Sequence, residues 1–78
     1  MTTRQLTVPF ENSTGVDIVL ILEPLAERVP LGPGQSVDVV YLLEPGDEFD
    51  LAVQFVPSAI LVYSMARYEV WQGGARLR

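Results

Sequence analysis

One phrase is written twice in this chain, and it constrains the fold more than any other feature. Leu31-Gly32-Pro33-Gly34-Gln35-Ser36-Val37-Asp38-Val39-Val40 is answered by Leu43-Glu44-Pro45-Gly46-Asp47-Glu48-Phe49-Asp50-Leu51-Ala52, at an offset of twelve residues. Leu, Pro, Gly and Asp recur in register, and Phe49 and Leu51 stand where Val37 and Val39 stood. Proline presets φ near about −65° and glycine accepts positive φ, so each Pro-Gly pair fits the centre of a type II turn. Each turn then feeds a segment that alternates apolar and polar residues. Two such turns, one strand apart, predict an antiparallel β meander.

The rest of the chain keeps that rhythm. Leu6, Val8 and Phe10 alternate with polar neighbours and predict a half-buried strand over residues 4–10, with Pro9 favouring an edge or a bulge. Glu11-Asn12-Ser13-Thr14-Gly15 predicts a short turn closing a hairpin with the next strand. Residues 16–23 put Val16, Ile18, Leu20 and Leu22 on one face and Asp17, Val19, Ile21 and Glu23 on the other. This run is apolar on both faces near its centre, and Pro24 ends it. Further strands are expected over 27–31, 36–43, 48–56, 59–65 and 68–72, with a tail strand or frayed end after Gly73-Gly74. Phe49, Leu51, Val53 and Phe55 are expected inward, and Tyr41 and Tyr63 with the core faces.

No stretch sustains a helical period. The expectation is a single domain over residues 1–78: all-β, a small antiparallel β-sandwich or barrel of six to seven short strands. Antiparallel pairing is expected throughout, because no helix separates the strands.

Composition bounds the function. Seventy-eight residues bury only about 60% of the unfolded surface. Chains of this size lean on disulfides, metals or oligomerisation. There is no Cys and no His, which removes disulfides, thiolate and imidazole metal sites, and His-based acid–base catalysis. There is no Lys, so a Ser-Lys dyad is excluded, and no serine sits in a nucleophile elbow. Glu44, Asp47, Glu48 and Asp50 gather at the second turn, but their spacing matches no calcium loop, and a solvated turn accounts for them. No catalytic residue, metal or cofactor is therefore expected, and the chain reads as a non-enzyme. A net charge of −5 opposes phosphate backbones and anionic membranes, so neither nucleic acid nor membrane is an expected partner. Arginine as the sole basic residue suggests a GC-rich bacterial gene. The polar opening Met1-Thr2-Thr3-Arg4-Gln5 shows no leader pattern, which points to the cytoplasm.

Charged residues make up only 19% of the chain and apolar ones 49%, the reverse of what a small domain with much surface needs. The surplus concentrates in a second set of apolar residues: Val19, Ile21, Val40, Leu42, Ile60 and Val62. A two-layered protein needs one apolar face per strand, so this second face is either covered by the chain's own loops or, the favoured expectation, buried against a second copy of the chain or another protein. A lesser candidate is a small-ligand or carbohydrate site using Arg67, Tyr68 and Trp71, since Trp and Arg dominate contact energetics.

The Leu-x-Pro-Gly-x-x-Val pattern of Leu31 to Val37 resembles the strand-opening turns of small bacterial β-sandwich proteins. Phe10-Glu11-Asn12-Ser13-Thr14-Gly15 and Leu22-Glu23-Pro24 are similar to short uncharacterised proteins of that type. The likeness implies a fold and no functional residues. A cupredoxin-like topology would fit the strand count, but that family's copper ligands, His and Cys, are missing.

Overall fold

The computed structural model describes residues 3–78. It contains eight strands and, among the described residues, no helix: β1 (Arg4–Glu11), β2 (Ile18–Glu23), β3 (Glu27–Leu31), β4 (Ser36–Leu43), β5 (Ala52–Val56), β6 (Ala59–Tyr63), β7 (Arg67–Gln72) and β8 (Ala75–Arg76). They form two four-stranded sheets, ordered β1-β4-β7-β8 and β3-β2-β6-β5. One core joins them: Phe10, Val37, Val39, Tyr41 and Val70 come from the first sheet, and Leu20, Leu22, Val29, Leu31, Ile60 and Val62 from the second. The strand count exceeds the expected six to seven because Gly73 and Gly74, both at positive φ, fold the tail back as β8 onto β7.

Both Pro-Gly turns form as expected. Gly34 has φ 78° and Gly46 φ 88°. Gln35 N donates to Gly32 O at 3.0 Å, and Asp47 N donates to Glu44 O at 3.0 Å. Each turn is also closed from the side. Gly32 N donates to Gln35 Oε1 at 2.6 Å, and Glu44 N donates to Asp47 Oδ2 at 2.9 Å.

The turns do not build a meander. The first carries β3 of one sheet to β4 of the other, and the second sends the chain back toward β5. β1 and β2 likewise form no hairpin: β1 pairs with β4, and β2 pairs with β3 and β6. A turn motif specifies a reversal of the chain, not the sheet in which the next strand pairs. The sheets are not wholly antiparallel either, since β2 and β6 run parallel, with Leu20 opposite Ile60 and Leu22 opposite Val62. The crossover that a parallel pair requires is made of strands β3, β4 and β5 rather than a helix.

Asn12 holds the crossing from β1 to β2. Its side chain is fully buried. Nδ2 donates to Val16 O at 2.8 Å and to Leu31 O at 2.9 Å, while Oδ1 accepts from Thr14 N at 2.9 Å and Thr14 Oγ1 at 2.6 Å. Its backbone N donates to Gln35 O, and its carbonyl accepts from Gly34 N. A residue expected to serve a local turn thus ties that turn to the first Pro-Gly turn and to the end of β3.

Two strands depart from the expected facing. In β6 the inward residues are Ile60 and Val62, and Tyr63, expected in the core, is 46% exposed. β6 is apolar on both faces, so alternation alone does not assign its phase; parallel pairing with β2 does. β5 begins at Ala52 rather than residue 48. Phe49 and Leu51 still pack against the core without belonging to a strand, and the Phe49 ring lies 5.1 Å from that of Tyr41. Val53 and Phe55 share the inner face with Val62 and Ile60, yet Phe55 is 75% exposed. The opposing sheet does not extend over them.

Candidate functional site

The six residues of the expected second face fall in three places. Val19 and Ile21 are half-buried on the outward side of β2. Val40 and Leu42 are half-buried on the outward side of β4, in the other sheet. Ile60 and Val62 are in the core and belong to no surface, which corrects the expectation for them. No single face gathers all six. Two β-sheets packed on one core have two outward sides, and periodicity does not say which strands share one.

The outward side of the β3-β2-β6-β5 sheet is the more apolar of the two. Register places Val19 beside Ala59 and Pro30, Ile21 beside Leu61 and Arg28, and Glu23 beside Tyr63. β5 adds Val56, Gln54 and Ala52 opposite Ala59, Leu61 and Tyr63. Leu61 and Tyr63 are the residues that sequence reasoning missed, because the inverted phase of β6 hid them. The alternation of Ala59, Leu61 and Tyr63 was visible, but its direction was not.

The three candidate ligand residues also separate. Arg67 and Trp71 lie opposite Leu42 and Asp38 on the outward side of the β1-β4-β7-β8 sheet. Tyr68 lies opposite Tyr41 and points inward. The Trp71 indole N–H donates to Glu69 Oε1 at 3.0 Å, and Arg76 pairs with Glu69 at 3.4 Å. Around Trp71 runs a shallow groove of about 410 Å³ with Gln5, Thr7, Asp38 and Val40 along it. Its charged groups are the carboxylates Asp38 and Glu69, so it is an acidic surface rather than an anion site.

Arg67 and Tyr68 do meet at one end of the molecule, without Trp71. There the β2–β3 and β6–β7 turns enclose a cleft of about 540 Å³, lined by Pro24, Leu25, Met65, Ala66, Tyr68 and the arginines Arg67 and Arg78. Leu25 and Met65 are 70% and 74% exposed at its rim. Ala26, at φ 57°, turns the chain between β2 and β3. The Tyr68 hydroxyl donates to Glu27 Oε1, and Arg78 pairs with Glu27 at 3.2 Å. Burial pushes the Tyr68 phenol far above its ordinary range, and the Glu27 carboxylate adds to that by accepting its proton in a hydrogen bond and by its charge. Arg67 reaches only to Glu44, at 3.9 Å, with both side chains exposed.

Of the second turn's carboxylates, Asp47 closes the turn on Glu44 N and Glu44 faces Arg67. Among the described residues, no three carboxylates converge closely enough to hold a metal ion. Among the described residues no helix is long and apolar enough to cross a membrane. No protein-family model matches the chain, and neither a curated protein nor a solved structure matches it.

Proposed function

We propose that this chain is a non-enzymatic interaction module, a small β-sandwich that self-associates through the outward side of its β3-β2-β6-β5 sheet. The sandwich form is supported by the single shared core and by strand pairing that stays within each sheet. The carrying observation is the apolar outward surface of that sheet: Val19, Ile21, Leu61, Tyr63 and Val56 are contiguous across β2, β6 and β5. A chain of 78 residues gains its missing burial by covering that surface with a partner. Absence of His, Cys and Lys supports a non-catalytic role, and arginine-only basic usage supports a bacterial origin. Light scattering on the eluting protein tests the reading. An oligomer is expected that Ile21→Glu converts to a smaller species with an unchanged circular dichroism spectrum. A native chain that stays monomeric into the millimolar range refutes it.

One observation favours a second reading, a small-ligand or carbohydrate-binding module. The end cleft joins exposed Leu25 and Met65 to Arg67 and Tyr68, an apolar wall with a cation and a phenol beside it. A thermal-shift screen of glycans and small carboxylic acids is expected to raise Tm for at least one class. No shift with any class removes this reading.

A further inference from the structure

We infer that two copies of this chain join edge to edge, β5 against β5, in an antiparallel register centred on Gln54, so that their β3-β2-β6-β5 sheets become one continuous sheet. The inference rests on the self-association proposed above and adds a second contact to it: the edge joins two copies side by side, and the apolar outward face joins such pairs.

The four sheet edges are not alike. β1 carries Arg4, Pro9 and Glu11, and β3 carries Glu27, Arg28 and Pro30. β8 is only two residues long. Charge, proline and shortness are the usual means of keeping an edge from pairing with another chain. β5, Ala52-Val53-Gln54-Phe55-Val56, has none of them: five residues without charge or proline, all exposed. The chain's net charge of −5 is carried elsewhere.

The backbone shows which groups β5 offers. Val19 N donates to Ser58 O and Ser64 N donates to Glu23 O. Even-numbered residues of β6 therefore bond toward β2, and Ala59, Leu61 and Tyr63 bond toward β5. Their partners Val56, Gln54 and Ala52 spend their backbone groups on β6. The N–H and C=O of Val53 and Phe55 are left pointing out from the sheet edge.

A two-fold axis at Gln54 matches these groups to one another. Val53 of each copy falls opposite Phe55 of the other as a hydrogen-bonded pair, and the two pairs exchange four backbone bonds. Both pairs are aromatic against β-branched, a favourable cross-strand combination. The same register sets Ala52 against Val56 on the outward side, small against large. Gln54 meets its own copy at the axis, neutral against neutral. Shifting the register by one residue would place residues that point out against residues already bonded to β6. Phe55, uncovered by its own opposing sheet, gains a partner from the second copy.

The register is tested by charge exchange at the axis, on the full chain. Gln54→Glu and Gln54→Lys each place like charges directly opposite, and each is expected to weaken association at least tenfold by analytical ultracentrifugation. Gln54 is exposed, and circular dichroism confirms that each variant is folded. Mixing the two variants in equal amounts is expected to restore association to the native level or beyond, since opposite charges then meet. Two outcomes overturn the inference: single variants that associate like the native chain, or a mixture that stays dissociated. If the single variants associate normally while Ile21→Glu does not associate, the edge contact falls and the apolar face stands. If no form associates at all, both fall.

Discussion

The outward side of the β1-β4-β7-β8 sheet surrounds Val40 and Leu42 with Thr7, Asp38, Arg67, Glu69, Trp71 and Arg76, whereas that of the β3-β2-β6-β5 sheet surrounds Ile21 with Val19, Leu61 and Tyr63 and sets only Arg28 and Glu23 beside it as charges. Both centres are half-buried aliphatics, and both looked alike along the sequence. The difference lies in what covers them. On the first sheet the cross-strand neighbours of the aliphatics are polar, and Glu69 holds Trp71 and Arg76 beside it. On the second the neighbours toward β6 are apolar, Arg28 on β3 is the charged residue opposite Ile21, and the edge strand β5 is uncharged. An apolar residue between strands is thus a surface filler or an interface residue according to its lateral neighbours, which periodicity does not supply.

The comparison presupposes that the two sheets stay tied together, and Asn12 is the tie. Asn12→Ala takes the side-chain donor from the buried Leu31 carbonyl and one of two donors from the Val16 carbonyl, and is expected to cost about 2 kcal/mol in urea unfolding. A loss of under about 1 kcal/mol would show that water replaces the amide there.

The sharpest contrast between the two faces is a matched pair of charges. Ile21→Glu is expected to weaken association at least tenfold, about 1.4 kcal/mol, while Leu42→Glu leaves it unchanged. Equal effects from both would mean that the two outward sides are not functionally different.

Alkaline pH probes the shared interior beneath both faces. Burial pushes the Tyr41 phenol up to about 12, and Tyr68 is raised by burial and by Glu27. A phenol raised in the folded state favours the protonated fold. Its contribution is whole below the ordinary value of about 10 and is lost as pH climbs through the raised one. The urea midpoint is expected to hold steady to about pH 9 and to fall between about pH 10 and pH 12, with Tyr41→Phe flattening part of the decline. A midpoint unchanged across that window would contradict the buried phenols.

Much of this molecule was written in local chemistry. Seven strand segments are placed by alternation and by Pro and Gly punctuation, and both Pro-Gly turns follow from φ preferences of two residue types. Pro9 and Pro30 mark edge strands because a missing N–H is tolerated only there. The candidate site was legible only in part. Val19 and Ile21 lie on the proposed face, Val40 and Leu42 lie on the other sheet, and Ile60 and Val62 lie in the core. Tyr68 points inward, apart from Trp71, and meets Arg67 only in the end cleft.

The sequence by itself determined where the chain extends and where it turns, because those are properties of single residues and their immediate neighbours. Tertiary structure decided which strands became neighbours. The same Pro-Gly turn serves two crossings between sheets, a parallel pair arises without a helix, and β6 takes its phase from β2. The physical reason is that a strand apolar on both faces carries no local instruction about which face is the core. That choice is made by burial against strands distant in sequence, and the same choice leaves one outward face apolar and one edge uncharged.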